Sequence, residues 1–365
     1  MTTTPATDRA WVATRKGLFE LRRRGGLGGA WQVERLSFTA EPVTAVLPPD
    51  AQGRMFAALN LGHFGPKLHA SDDAGATWRE VATPTYPPQP EGTTGYAWKL
   101  VQVWALERDA AGRLWAGTLP GGLFCSTDQG QTWALNQALW THPSRAEWMG
   151  GGNEAPGLHS VCPHPMRAEE NLVAVSCGGV WATQDDGASW ASRTRGLWAD
   201  FMPPERAEDP AIQDPHLVRR CTAVPEVLWC QHHCGIWRST DSGGQWQRLH
   251  TGLSDFGFAV AAHPSDPLTA WFVPGVKDEQ RIPVGAALAV TRTRDGGQTF
   301  QALREGLPQQ HCYDLVFRHG LDVAADGEQL LMGSSTGHLW ATGNGGDHWT
   351  LAQAHLPPIY ALRFG

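Results

Sequence analysis

No stretch of this chain approaches the roughly 18 apolar residues that a membrane-spanning helix requires. The opening residues, Met1 to Asp8, also lack the basic segment and apolar run of a secretory leader. The expectation is a cytoplasmic protein. Charge is scarce too: 18% of residues are Asp, Glu, Lys or Arg, the net charge is -7, and no block of like charges occurs. Nucleic acid and membrane surfaces call for a concentrated basic face, so neither is expected as a partner. The short run Arg22-Arg23-Arg24 reads as a solvated turn. The cysteines number 7, an odd count scattered through candidate strands, which fits reduced, buried thiols better than a disulfide framework.

What is abundant is the material of turns and large apolar fillers, with 42 Gly, 26 Pro and 18 Trp, and this balance points to an all-β chain with few long helices. A pattern Ser/Thr-x-Asp-x-Gly-x-x-Trp runs from Ser71 to Trp78, Ser126 to Trp133, Thr183 to Trp190 and Ser239 to Trp246. Weaker copies run from Thr293 to Phe300 and from Thr342 to Trp349, the last with Asn344 in place of the aspartate. The closing aromatics recur about every 55 residues, which is the period of a propeller blade. The residue types have a mechanical reading. Asp accepts backbone N–H groups in the turn, Gly supplies a positive φ, and the aromatic begins the next strand and packs inwards.

Each copy sits in a larger unit of three candidate strands, seen in Leu158–Pro165, Asn171–Val175 and Gly179–Thr183, with the repeated turn leading to a fourth. These strands are A, B, C and D. A seventh unit is split: Trp11–Thr14, Gly17–Leu21 and Trp31–Val33 supply B, C and D, and Ile359–Phe364 at the other end supplies A. Joining the ends hides the edge strands that a linear array would expose. The reading is a seven-bladed β-propeller, one domain over residues 1–365.

The repeats resemble the Asp-box, or bacterial neuraminidase repeat, of the sialidase-like propellers. That group includes sialidases and related glycoside hydrolases, sortilin-type receptors and photosystem assembly factors, so the resemblance speaks for the fold and says little about activity. Sialidase chemistry, as the resemblance implies it, needs three arginines clamping a carboxylate, a tyrosine nucleophile activated by a glutamate, an aspartate acid/base, and an Arg-Ile-Pro motif in the first blade. This chain holds Arg281-Ile282-Pro283 between B and C of blade six, and none of its four tyrosines, 86, 96, 313 and 360, has the required setting. A true sialidase is not expected.

Because the repeated turns are C–D connections, the long segments 79–98, 134–157, 191–216 and 301–310 fall on the opposite face as D–A connections, with 273–287 as an enlarged B–C connection. Loops of this length in a compact fold are usually functional or disordered, and on this face they would wall the mouth of the central channel. Histidines accumulate there. His159 opens strand A of blade four, His216 and His311 precede strand A of blades five and seven, and His232 and His233 occupy the B–C turn of blade five beside Gln231.

Neutral imidazoles converging from several blades could hold a divalent transition metal such as Zn, Mn or Fe. The arrangement is similar to the His-lined sites of other seven-bladed propellers, the oligogalacturonate lyases and carotenoid oxygenases. The same histidines read equally as hydrogen-bonded packing residues. Cys230-Gln-His-His-Cys234 is not a zinc knuckle, since strand alternation sends Cys230 to the face opposite Gln231 and His233. Arg219, Arg220 and Asp314 fall where strand A should be apolar and would need ionic partners or a ligand. Glu154 in the Gly-rich loop before His159 is a further candidate, and Lys277, Asp278, Glu279 and Arg281 could reach the rim.

The functional expectation is a metal-dependent hydrolase or lyase. Its ligands would be His159, His216, His233 and His311, with His232 and Gln231 as further candidates, and Arg219 or Arg220 would hold an anionic or sugar-like substrate. A non-catalytic binding propeller and a metal-free glycoside hydrolase remain as alternatives.

Overall fold

The computed structural model describes residues 7–26 and 28–365. Its strands form seven antiparallel sheets, one per blade. The first is closed by the two ends of the chain, in the order Ile359–Phe364, Arg9–Thr14, Gly17–Arg24, Ala30–Ser37. The register pairs Ala10 with Phe364 and Ala13 with Ala361, as the split repeat predicts. The inner strands, in ring order, are Ile359–Phe364, Val43–Leu47, Gln102–Arg108, Leu158–Pro163, Pro215–Arg220, Gly257–Ala262 and Leu321–Val323. Each packs against the inner strands of both neighbouring blades in an unbroken circle.

A twisted four-stranded sheet exposes two apolar faces, and a ring buries both by stacking blade on blade. The core is therefore seven wedges, one between each pair of neighbours. Tryptophans fill the wide outer parts, with Trp237 and Trp246 between blades four and five and Trp271, Trp340 and Trp349 between six and seven. All seven thiols are free, and no helix among the described residues is long and apolar enough to cross a membrane.

The six repeated turns share one hydrogen-bond pattern. In blade three Ser126 Oγ accepts the Gly130 N–H at 2.8 Å and Asp128 Oδ1 accepts the Thr132 N–H at 2.9 Å, and Asn344 does the same work for His348 at 3.0 Å in blade seven. These bonds favour the ionised carboxylate and hold Asp73, Asp128 and Asp295 down at about 2. A depressed folded-state pKa contributes stability that is full above the ordinary value near ~3.9 and is lost as pH falls through the folded value. Asp128→Ala is therefore expected to melt a few degrees below the parent protein at pH 6. The gap should close towards pH 2, as thermal melts across that range would show, and a gap that persists unchanged at pH 2 would contradict this reading of the turns.

Two features depart from the sequence reading. Strand A of blade seven begins only at Leu321, and the preceding segment follows its own bonding: Asp314 accepts from Ser334 Oγ at 2.6 Å, His338 Nδ1 at 2.8 Å and Cys312 Sγ at 3.1 Å, as well as from Thr336. Asp314 is thus a brace for the B–C turn of its own blade. The enlarged B–C connection of blade six continues strand B as a hairpin, with Gln280–Pro283 pairing back onto Ala270–Lys277.

Candidate metal centre at the channel mouth

Strand A runs from the loop-rich face inward, and in six blades its pairing with strand B slips near its start. The slips leave Tyr360, Thr44, Trp104, His159 and His216 without a pairing partner in blades one to five, and Phe258 with Ala259 in blade six. A bulge of this kind frees one residue from the ladder and re-aims its side chain. Repeated around a ring, it turns side chains from several blades towards the mouth of the channel. Two cavities open there, of about 820 and 250 Å³, and they share Trp104 and Arg318 as a common wall. Thr44 and Tyr360 line the larger cavity, while His216 and Phe258 line the smaller. Gly157 makes the arrangement possible, because a Cβ there would lie 2.3 Å from the Trp104 ring.

The smaller cavity holds the chemistry. Asp214, His216 and His233 offer three ligand atoms within 4.8 Å of one another. Asp214 Oδ2 lies 3.6 Å from His216 Nε2 and 3.4 Å from His233 Nδ1. Its other oxygen is held by Ser176 Oγ at 3.1 Å and the Cys177 N–H at 3.2 Å. His216 is fixed from behind, its Nδ1 lying 2.6 Å from the Gly257 carbonyl. A carbonyl can only accept, so Nδ1 carries the proton and Nε2 of the neutral ring turns a lone pair to the cavity.

Burial alone would raise the Asp214 carboxyl, but the facing imidazoles of His216 and His233 and the charge of Arg318 hold it well below the usual range. Burial pushes His216 down against the pull of Asp214. His233 is pulled up by its hydrogen bond to Asp214, against a smaller effect of burial.

Of the candidates drawn from the sequence, only His216 and His233 converge. His159 is fully buried, its Nδ1 on Ser160 Oγ at 3.0 Å and its ring edge-on to Trp104 with centroids 5.7 Å apart. Both nitrogens of His232 face backbone donors, Nε2 that of Asp214 at 2.9 Å and Nδ1 that of Cys234 at 3.1 Å, and burial lowers its pKa to about 3. It has no lone pair left for a metal. Gln231 donates to the carbonyls of His232, Gly235 and Asp255, a scaffold role. His311 is exposed with φ 51, and Glu154 is exposed in its loop.

Arg219 and Arg220 stand three and four residues beyond His216 on one strand, about 10–13 Å down the channel at a rise of about 3.3 Å per residue. There Arg219 lies 3.7 Å from Glu107 and 3.3 Å from His319 Nδ1, while Arg220 donates to the carbonyl oxygens of Pro225 and Cys162. Glu107 also meets Arg363 at 3.0 Å. Arg219, Glu107 and Arg363 form an ionic cluster inside the ring, below the larger cavity that His319 lines, while Arg220 joins no ion pair among the described residues.

Asp214, Trp104 and Arg318 escaped the sequence reading. Asp214 was within reach of it: in Asp214-Pro215-His216 the acid lies two positions before the histidine, and alternation puts both on one face.

No protein-family model matches this chain, and no curated protein matches it. Solved structures do. A GH74 xyloglucanase from Xanthomonas campestris is 17% identical, with a TM-score of 0.63 over 95% of this chain and 53% of that one. An ancestral GH74 enzyme is 15% identical, with a TM-score of 0.59 over 99% of this chain and 40% of that one. YCF48 bound to D1 peptide is 14% identical, with a TM-score of 0.52 over 93% of this chain and 88% of that one. The chain spans about half or less of these two GH74 enzymes. Likeness at such identities shows the propeller fold alone.

Proposed function

We propose that this propeller is a metal-dependent enzyme of the hydrolase or lyase type, acting on a small polar substrate at the channel mouth. One observation carries the reading. Two acceptors, Asp214 Oδ2 and His216 Nε2, face each other at 3.6 Å while the other nitrogen of His216 is committed to the Gly257 carbonyl. Lone pairs so placed repel unless something positive lies between them. A proton on His216 is disfavoured by burial, so a divalent cation shared with His233 is the better occupant. Two imidazoles and one carboxylate suit Zn, Mn or Fe and leave positions open for water and substrate. Such a metal would activate water or polarise a carbonyl.

The Gly257 carbonyl and the pair Ser176–Cys177 would then be the outer partners that orient the ligands. Gly151 belongs with them, since a Cβ there would lie 2.5 Å from Ser176 Oγ and 3.2 Å from an Asp214 oxygen. Gly151→Ala is expected to weaken metal binding by roughly tenfold with little change in melting. Calorimetric titration of the metal-free variant with zinc checks this, and unchanged affinity would detach Asp214 from the site.

The enzymatic reading is tested by screening lactones, esters and sugar acids with chelated protein, before and after adding back Zn, Mn or Fe. Turnover that vanishes on chelation and returns with one metal supports it. Turnover indifferent to metal, or none with any metal restored, would overturn it. A non-catalytic binding role is favoured by one feature, Phe64, 71% exposed on the rim of the larger cavity.

A further inference from the structure

Arg318 is the most unusual cation in the molecule. It is only 9% exposed, it lines both cavities at the mouth, and its Nε is buried without a partner. The arginines around it are neutralised: Arg281, on the same smaller cavity, pairs with Asp278 at 2.6 Å, and Arg219 and Arg363 share Glu107. Arg318 joins no ion pair among the described residues. Asp214, in the same smaller cavity, acts on it through charge without a direct ion pair, and the groups packed against it are aromatic, with its Cζ 5.0 Å from the Trp104 ring and 5.4 Å from the Phe258 ring. Two bulge residues, from blades three and six, therefore approach one guanidinium with their π systems.

Cation–π contact offsets part of the cost of burying that charge, but it uses none of the in-plane N–H donors. A buried guanidinium with idle donors is costly to maintain. Desolvation is strong enough to push its pKa down to about 10, which still leaves it charged at neutral pH.

We propose that Arg318 is the receptor for a carboxylate on the substrate, the guanidinium fork taking its two oxygens in plane. The rest of the substrate would lie in the larger cavity among Pro42, Phe64, Phe317 and Tyr360. This deepens the metal reading by naming the substrate class. With a divalent ion on Asp214, His216 and His233, the mouth carries two positive groups along one wall, and an organic acid could present its carboxylate to Arg318 and its reacting group to the metal. Planarity argues for carboxylate over phosphate. Aromatic rings close to the guanidinium favour a flat partner in its plane, and bidentate Arg–carboxylate pairing is the strong, geometrically specific form of this bond.

The test uses glucuronate and glucose, which share a ring and differ in the carboxylate, with inorganic phosphate as the third ligand, titrated calorimetrically into metal-loaded and chelated protein. Glucuronate is expected to bind at least tenfold more tightly than glucose or phosphate. Arg318→Lys, which keeps the charge but loses the fork, should weaken glucuronate about tenfold, and Arg318→Met should reduce it to the level of glucose. Circular dichroism and melting of both variants would confirm that the fold is kept, and the lysine variant serves if the methionine variant fails to fold.

Chelation separates this inference from the metal reading. Arg318-dependent glucuronate binding that survives in chelated protein supports the carboxylate receptor whether or not the metal site is real. Equal binding of glucuronate and glucose, a lysine variant that binds glucuronate like the parent, or tighter binding of phosphate would overturn it.

Discussion

Replacing His216 by alanine is expected to weaken zinc binding by about 100-fold or more, because loss of outer partners alone costs roughly 10–100-fold and this change removes a ligand. His311→Ala, on an exposed residue, should leave the affinity unchanged. The pH dependence follows from the ligands having to shed protons. Asp214 is held ionised well below the usual range, so it stays ready throughout the neutral region. His233 is the group that titrates, with a pKa raised above 6.5 by its hydrogen bond to Asp214. Below that pKa the ring is protonated and must lose its proton to bind, so affinity should fall by about tenfold per pH unit as pH drops through it. His233→Ala should bind more weakly at all pH values but lose most of this slope. A parent protein whose zinc affinity is flat from pH 8 to pH 6 would contradict the assignment of His233.

The second large effect concerns closure of the ring. Arg363 lies in the last strand, beside the first strand of the chain, and its guanidinium reaches across the channel to Glu107 of blade three at 3.0 Å. Burial lowers Arg363, but the charges of Glu107 and Asp322 outweigh it, so its pKa is raised. Arg363→Met removes the nearer of the two cations on Glu107, leaving that carboxylate only Arg219 at 3.7 Å, a change that should cost up to about 3 kcal/mol in such a largely buried setting. The cost should appear in urea unfolding at neutral pH. Adding Glu107→Gln should restore part of the loss, because the stranded charge is then gone. A single variant as stable as the parent would show that the ionic cluster does not hold the closing strand.

The fold was legible because it is written by repetition. Six turns of one chemistry at a blade period, with matching strands before each, leave little freedom, and the split unit at the ends completes the ring. The site was only partly legible for the opposite reason: it is built where the blades differ. His216 and His233 could be found as departures from the repeat, and the loop-rich face could be assigned by elimination. The bulge at the start of strand A could not be read, because it changes register without leaving a mark in residue type.

That bulge decides which residues face the mouth. It explains why Trp104 and Phe258, which read as ordinary apolar fillers, stand beside His216. Further along the same strand, Arg219 meets Glu107 inside the ring while Arg220 turns to the carbonyls of Pro225 and Cys162. In blade seven the late start of strand A at Leu321 leaves Arg318 in the segment that reaches the channel, whereas a sequence alignment to the other blades draws attention to Asp314. His159 and His232 show a further limit. Histidines at the right height were out of reach, His159 shut behind Trp104 with its Nε2 buried and unpartnered and His232 with its one lone pair turned to the backbone, and such placements are visible only in three dimensions.

A metal held by Asp214, His216 and His233 would be visible directly. Its most direct test is a crystal of untagged protein grown with zinc, with anomalous differences collected at the zinc edge. One strong peak is expected within about 2.0–2.3 Å of Asp214 Oδ2, His216 Nε2 and His233 Nδ1. Anomalous density only at exposed histidines, with a water or nothing between Asp214 and His216, would contradict it.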